Sequence, residues 1–200
     1  LVGSEMCIRD RINSLPEKFS SIDILINNAG NAHGLNPVHE ADLNDWDAMI
    51  DSNFKGLIYI TKAVLPTMVS RKKGHIINLG SIAGKEVYPN GSVYCSSKFA
   101  VDAFTEGLRL DLNPLGIKVS AVHPGMVNTE FSEIRFKGNK HKASQVYKGL
   151  TPLSAKDVAD LIEFMVLAPD HVNIADVLLL PKAQANTCLL YTSDAADDDH

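Results

Sequence analysis

The stretch SVYCSSKFAVDAF, residues 92–104, predicts the element around which the rest of the chain is organised. Its apolar residues continue at helical spacing through Leu108, which indicates a helix that ends near Asn113. On that helix Tyr94 and Lys98 are four residues apart and therefore share one face. An ammonium beside a phenol favours the phenolate. We therefore expect Lys98 to lower the pKa of Tyr94 and to make Tyr94 a usable proton donor and acceptor.

A tyrosine and a lysine at this spacing are also common as a packed ring beside a solvated amine. Ser81 favours the functional interpretation, because it follows the stretch IINLG (76–80), which reads as a buried parallel strand ending in a small-residue loop. Open α/β sheets place their sites at the carboxyl ends of such strands. Ser81, the Tyr94–Lys98 pair and the residues around them resemble the short-chain dehydrogenase/reductase family.

Strand-like and helical stretches alternate along the chain, which predicts an α/β fold with a doubly wound parallel sheet, Rossmann-like. We expect further strands at 22–26, 118–122 and 176–180, and helical segments at 42–70, where Pro66 bends or ends a segment, and at 154–168. No Gly-rich turn precedes Ile22. By the resemblance, the chain lacks the family's first three strands and the turn that holds the pyrophosphate, so the strand at 22–26 would form an open edge.

The resemblance also implies where the cofactor binds. The cofactor-binding residues would be Asn27, Ala29, Gly30, Tyr94, Lys98, Pro124, Gly125, Val127 and Thr129. They match the family's Asn-Asn-Ala-Gly and Pro-Gly-x-Val-x-Thr motifs, in which Val127 would meet the nicotinamide carboxamide and Thr129 would lie near the pyrophosphate. Taken without the resemblance, both motifs are also ordinary turn signals. The implied cofactor is NADP, with NAD as the alternative, because the region that would select between them is absent.

The implied reaction is hydride transfer between C4 of the nicotinamide and a carbinol carbon. Ser81 would bind the substrate oxygen and Tyr94 would move the hydroxyl proton. Lys98 would lower the pKa of Tyr94 and hold the ribose hydroxyls. Asn53 is either a satisfied core amide or, by the resemblance, the residue whose backbone carbonyl holds a water that passes the proton outward.

The stretch FSEIRFKGN (131–139) resembles the lid of the NADP-dependent 3-hydroxy acid dehydrogenases, a subgroup that includes serine 3-dehydrogenases. We therefore expect a small 3-hydroxy acid such as serine as the substrate, with Arg135 or Lys137 recognising its carboxylate. Both cations are equally well read as solvated lid charges. Two other functions stay open: a reductase of the same family for another alcohol or ketone, such as a 3-oxoacyl thioester, sugar or steroid, and an inactive fragment or binding protein.

Composition excludes several other classes. The net charge of −5 and the isoelectric point near 5.8 give no footprint for nucleic acid or for an anionic membrane surface. No apolar run approaches the roughly 20 residues that span a bilayer. The seven histidines are scattered and the three cysteines show no paired spacing, which predicts no metal site and a reducing, cytoplasmic location. The resemblance implies a homodimer or homotetramer formed through the helices near 45–68 and 94–113.

The two ends of the chain differ from its body. Residues 1–11 (LVGSEMCIRDR) and 188–200 (CLLYTSDAADDDH) match neither the pattern of the body nor the family, and resemble translated adaptor sequence. We expect a partial short-chain dehydrogenase/reductase domain over residues 12–187, with non-native tails on both sides.

Overall fold

The computed structural model describes residues 5–187. Its helices are α1 (Glu5–Asn13), α2 (Glu17–Ser20), α3 (Leu43–Ile50), α4 (Gly56–Arg71), α5 (Ser92–Leu112), α6 (Phe131–Arg135), α7 (Lys140–Gln145) and α8 (Ala155–Val166). Its strands are β1 (Ile24–Asn27), β2 (Gly74–Leu79), β3 (Ile117–Pro124), β4 (Val127–Asn128), β5 (Leu153–Ser154) and β6 (Asp176–Leu179). A π-helical turn, Asp51–Lys55, joins α3 to α4, and a 3-10 turn, Ile82–Gly84, follows β2.

Four of the strands form one parallel sheet in the spatial order β1-β2-β3-β6. The two central strands are buried along nearly their whole length, as their apolar and β-branched sequences require. β1 lies at one edge of the described sheet and leaves Ile24 and Ile26 exposed, as expected for an open edge. Because the strands are parallel, their carboxyl ends meet along a single edge. The predicted parallel α/β fold is confirmed.

Helices cover both faces of the sheet. Ile76 of β2 packs in one cluster with Val64 of α4 and Leu108 of α5. The next residue, Ile77, packs in another cluster with Met165 of α8. Since successive side chains of a strand point to opposite faces, α4 and α5 lie on one face and α8 lies on the other.

The helical segment predicted at 42–70 forms as α3, the π-helical turn and α4. Of the two outcomes predicted for Pro66, the end of a segment is wrong, because α4 contains Pro66 and continues to Arg71, and a bend stays a prediction. Val64 and Met68, on either side of Pro66, are fully buried against the sheet. That burial outweighs the single backbone hydrogen bond that a proline cannot donate.

Helix α1 occupies part of the segment that the sequence analysis sets aside as a tail. Ile12, at its carboxyl end, packs against the cluster formed by α4, α5 and the central strands. The domain boundary at residue 12 stays a prediction, and the tail predicted at 188–200 lies outside the described residues.

Between residues 5 and 187, none of the helices combines the length and the apolar character needed to span a membrane.

Candidate active site

Ser81 and Tyr94 meet beyond the carboxyl end of β2. Ser81 caps the 3-10 turn, and its Oγ accepts a hydrogen bond from the Ala83 N–H at 3.1 Å. Tyr94 lies in the first turn of α5, where it is buried, and the Ser81 side chain is close enough to act on the pKa of its phenol. Both residues line a cavity of about 250 Å³. Ser81 and Tyr94, whose hydroxyls are predicted to bind the substrate oxygen and to move its proton, therefore face the same cavity.

Lys98 lies one turn after Tyr94 on α5 and is also buried. Its ammonium donates a hydrogen bond to the Leu79 carbonyl oxygen at 2.9 Å. Burial lowers the pKa of Lys98 to about 8, because the charged form loses its hydration. The lysine can therefore gain or lose a proton near neutral pH, as an acid–base group must.

The expectation that Lys98 lowers the pKa of Tyr94 is wrong for this structure. Burial raises the pKa of Tyr94, since the phenolate is the form that loses most solvation. The Ser81 side chain and the positive charge of Arg135 oppose that rise. The cation that acts on the phenol thus comes from the predicted lid.

Asn53 lies in the π-helical turn and is buried. Its Oδ1 accepts a hydrogen bond from the Asn31 N–H at 2.8 Å, and its Nδ2 donates to the Asn31 carbonyl at 2.9 Å and to Ser97 Oγ at 3.0 Å. The amide therefore ties the loop after β1 to α5. A Cβ at Gly30 would lie 2.9 Å from Asn53 Oδ1 and 3.7 Å from Lys98 Nζ, so glycine lets this loop pass close to both groups. The proton relay through the Asn53 carbonyl stays a prediction.

The Asn27 side chain is buried in the interior of the protein. Its Nδ2 donates hydrogen bonds to Asn78 Oδ1 at 2.8 Å and to Thr61 Oγ1 at 3.1 Å. Asn78 Nδ2 in turn donates to Thr105 Oγ1 at 2.8 Å, so a chain of amides and hydroxyls links β1, β2, α4 and α5. Ala29, by contrast, is exposed where the chain leaves β1. The Asn27 side chain supports the strands that end at the site, and its cofactor contact stays a prediction.

The turn after β3 brings two of the predicted cofactor residues to the cavity. Pro124 ends β3, and Gly125 and Val127 line the cavity. A Cβ at Gly125 would lie 2.3 Å from Gln184 Oε1, so a larger residue would displace this turn. The backbone at Val127 therefore faces the same space as Ser81.

Thr129 and Lys137 are among the predicted site residues that lie outside the lining of this cavity. Thr129 is exposed, and its Oγ1 accepts a hydrogen bond from the Phe131 N–H at 3.2 Å. Lys137 forms an ion pair with Asp45 of α3, with 2.9 Å between Nζ and Oδ2. That ion pair fastens the segment after α6 to α3. Lys137 therefore already has a carboxylate partner within the protein.

Arg135 lies in an aromatic cage against Tyr94. Its guanidinium carbon is 5.6, 5.0 and 5.3 Å from the ring centres of Tyr88, Tyr94 and Phe131, each within the range of a cation–π contact. Arg135 Nη2 donates a hydrogen bond to the Tyr88 hydroxyl. Arg135 Nε is buried and has no hydrogen-bond acceptor among residues 5–187. A charged group with spare donor capacity thus lines the cavity that holds Ser81 and Tyr94.

The cavity also contains residues that the sequence analysis did not identify as site residues: Tyr88, Phe131, Tyr147 and Gln184. The Tyr147 hydroxyl donates to the Val127 carbonyl at 2.9 Å, and Gln184 Oε1 accepts from the Met126 N–H at 2.8 Å. One signal could have identified Tyr88, an aromatic residue in the loop between Ser81 and Tyr94. No periodicity marks Tyr147 or Gln184, because each reaches the site from an irregular segment.

A charged cluster, formed by Lys85, Asp102, His123 and Asp176, links β3, β6 and α5. Asp102, His123 and Asp176 are the group of potential metal ligands found among the described residues, with ligand atoms within 4.8 Å of one another. Lys85 Nζ lies 2.9 Å from Asp102 Oδ1 and 3.1 Å from Asp176 Oδ2. The Lys85 ammonium therefore pairs with both carboxylates of this group.

Comparisons with known proteins agree on one family. A family model described as short chain dehydrogenase matches residues 2–140, which include Ser81, Tyr94, Lys98 and Arg135. NADP-dependent 3-hydroxy acid dehydrogenase YdfG of Salmonella typhi is 45% identical over 185 residues, which cover 92% of this chain and 75% of that protein. The NADP-dependent 3-hydroxy acid dehydrogenase of Schizosaccharomyces pombe is 45% identical over 184 residues, which cover 92% of this chain and 71% of that protein.

Solved structures show the same likeness. One described as the closed form of serine dehydrogenase complexed with NADP+ superposes with a TM-score of 0.91 at 43% identity, covering 94% of this chain and 77% of that chain. Serine dehydrogenase from Escherichia coli superposes with a TM-score of 0.79 at 38% identity, covering 92% of this chain and 75% of that chain. The similarity therefore extends over both the sheet and the lid.

Proposed function

The chain belongs to the short-chain dehydrogenase family, and we propose that it transfers a hydride between NADP and the hydroxyl-bearing carbon of a small 3-hydroxy acid such as serine. The observation that carries this substrate class is the position of Arg135, which lines the same cavity as Ser81 and Tyr94. A guanidinium can bind both oxygens of a carboxylate. The cavity thus combines a group for the acid with groups for the alcohol.

Ser81 and Tyr94 carry the chemistry at the substrate oxygen. Ser81 donates a hydrogen bond to that oxygen and stabilises the charge that develops on it. Tyr94 takes the hydroxyl proton during oxidation and returns it during reduction. Lys98, with its pKa of about 8, is the neighbouring group able to exchange a proton at working pH.

The nicotinamide end of the cofactor is assigned to Lys98, Gly125 and Val127, with Gly30 nearby. The fit rests on the loop at Gly30, which is exposed and passes close to Lys98 and Asn53 in a place that a Cβ would crowd. When bound, the nicotinamide supplies the carbon that accepts or gives the hydride. NAD is the alternative cofactor.

A direct assay tests this function. The full chain is mixed with NADP+ or NAD+ and with L-serine, 3-hydroxypropanoate or the uncharged 3-hydroxypropanamide, and reduced cofactor is followed by absorbance. We expect turnover of the two acids with NADP+ and much slower turnover of the amide. Equal rates for acid and amide would contradict the substrate class. Absence of turnover with every substrate would contradict the proposed activity for this chain.

Assembly and location extend the proposal. A homo-oligomer, a dimer or tetramer formed through α4 and α5, is supported by Phe99 and Leu110, large apolar residues that α5 leaves exposed. Sedimentation of the chain and of a Leu110→Glu variant tests it, and a monomeric unmodified chain would contradict it. A cytoplasmic location is supported by the cysteine spacing alone.

A further inference from the structure

Tyr88 lies between the 3-10 turn and α5 and lines the same cavity as Ser81 and Tyr94. The loop constrains the orientation of the Tyr88 ring. The Gly91 N–H donates a hydrogen bond to the Tyr88 carbonyl at 3.2 Å, and a Cβ at Gly91 would lie 2.2 Å from Cε2 of the Tyr88 ring. The ring therefore fills space that only a glycine at position 91 leaves open, and the loop sets its orientation.

The Tyr88 hydroxyl can still donate a hydrogen bond. Burial raises the pKa of Tyr88 to about 12, so the group stays protonated at working pH. Its oxygen accepts a hydrogen bond from Arg135 Nη2, while its own hydrogen has no acceptor among the described residues. A phenol that accepts a hydrogen bond from a cation becomes a better donor, because hydrogen bonds in a chain polarise one another.

Arg135 Nε is a second donor of the same kind, buried and without an acceptor in the part of the chain that the structure describes. Neighbouring buried donors that lack acceptors indicate a place for an acceptor with more than one oxygen. A carboxylate meets that description, because each of its two oxygens can accept from a different donor.

We propose that Tyr88 is a specificity-determining residue, whose O–H donates to one oxygen of the substrate carboxylate while Arg135 binds the other. This inference rests on the proposed function, because it places a 3-hydroxy acid in this cavity. Tyr88 adds a donor without adding charge. It therefore favours a carboxylate over the matching amide, in which one oxygen is replaced by a donor group.

Binding measurements on the full chain test this proposal without depending on turnover. The ligands are 3-hydroxypropanoate and 3-hydroxypropanamide, titrated by ligand-observed NMR in the presence of NADPH, which cannot oxidise them. The variant is Tyr88→Phe, which keeps the ring and removes the hydroxyl. We expect the Kd of the acid to rise about 5- to 20-fold and the Kd of the amide to change less than 2-fold, as for loss of one hydrogen bond to a charged group.

Tyr147→Phe is the matched control. It also removes a phenol hydroxyl from the cavity wall, but that hydroxyl is bonded to the Val127 carbonyl and to Ser132 Oγ. We expect Tyr147→Phe to leave the ratio of acid to amide affinity unchanged. Thermal unfolding of each variant checks that the fold is kept. If Tyr88→Phe does not fold, Tyr88→His, which keeps a ring and a donor, is expected to retain part of the preference for the acid.

The outcomes separate this inference from the proposed function. An unmodified chain that binds acid and amide equally, or binds neither, overturns the proposed substrate class and this inference with it. An unmodified chain that prefers the acid, together with a Tyr88→Phe variant that keeps the full preference, overturns only the role of Tyr88. If Tyr88→Phe weakens acid binding in the native background but not alongside Arg135→Gln, Tyr88 acts through Arg135 and direct donation is wrong.

Discussion

The two sides of the active-site cavity are built in different ways. On the sheet side, Ser81 follows β2 and Tyr94 stands on α5, and both elements are anchored in a buried core. On the lid side, Arg135 ends the short helix α6, and Tyr88 lies in a loop. The groups proposed for chemistry are therefore held by long, buried elements, and the groups proposed for specificity by short segments and a few contacts.

The charges on the two sides differ as well. The sheet-side cation, Lys98, is buried and has a lowered pKa, whereas the lid-side cation, Arg135, is stacked against aromatic rings. The Ser81 side chain and the positive charge of Arg135 both oppose the raised pKa of Tyr94. The lid therefore acts on Tyr94 as well as on the proposed substrate, and the following predictions test how separate the two sides are.

Tyr94→Phe is expected to have the largest effect. Removal of the phenol hydroxyl should lower kcat/KM by about 10²- to 10⁴-fold for acid and uncharged substrates alike, because the proton donor is lost whatever the substrate. The ring is retained, so the unfolding temperature should hardly change. Steady-state kinetics with both substrates measure the effect. A loss of less than 10-fold would show that another group transfers the proton.

Arg135→Met removes the cation of the lid side. The KM for a 3-hydroxy acid is expected to rise about 10- to 100-fold, as for loss of a charge-assisted pair of hydrogen bonds, with little change for the uncharged amide. The pH profile should move to higher pH, because the charge that opposes the raised pKa of Tyr94 is removed. Lys137→Met is the matched control, since that lid cation is paired with Asp45. An equal loss in both variants would remove Arg135 from the substrate site.

Asn27→Ala tests the buried chain of amides and hydroxyls that links the elements on the sheet side of the cavity. It leaves Asn78 Oδ1 buried without its donor, which should lower the free energy of unfolding by about 1–3 kcal/mol. Chemical denaturation measures the change. Asn28→Ala, at the exposed neighbouring position, should stay within about 0.5 kcal/mol of the native chain. Equal values for the two variants would mean that the amide chain adds nothing to stability.

The smallest effect is expected from His75 in β2, and it depends on pH. Burial lowers the pKa of His75 to about 4, while its Nε2 lies 2.8 Å from Ser120 Oγ. The unfolded chain, in which the pKa is about 6.5, therefore binds more protons between pH 6.5 and pH 4, and the folded state loses stability as pH falls through that range. Unfolding at pH 7 and pH 4.5 should show a smaller acid loss in His75→Gln than in the native chain. An exposed-site control, His39→Gln, should lose as much as the native chain does.

Much of this architecture could be predicted from local patterns. Apolar spacing predicts the strand at 76–79, the helix after Ser92 and the parallel order of the strands. It does so because the spacing of apolar residues differs between elements buried on one face and elements buried on both. The Ser81, Tyr94 and Lys98 set is recognisable for the same reason, since each residue sits at a defined end or face of a regular element. The predicted end of a segment at Pro66 is wrong, because local propensity does not reveal that its neighbours are buried.

The class of fold, the meeting of Ser81 and Tyr94, and the family follow from the amino-acid sequence. The distribution of charge follows from the packing of the chain: Lys98 bonds to the Leu79 carbonyl, Arg135 stacks on Tyr94, and Tyr88 bonds to Arg135. The physical reason is that a pKa or an unpaired donor depends on every neighbour within a few ångströms. Those neighbours come from loops, and no sequence periodicity predicts the path of a loop.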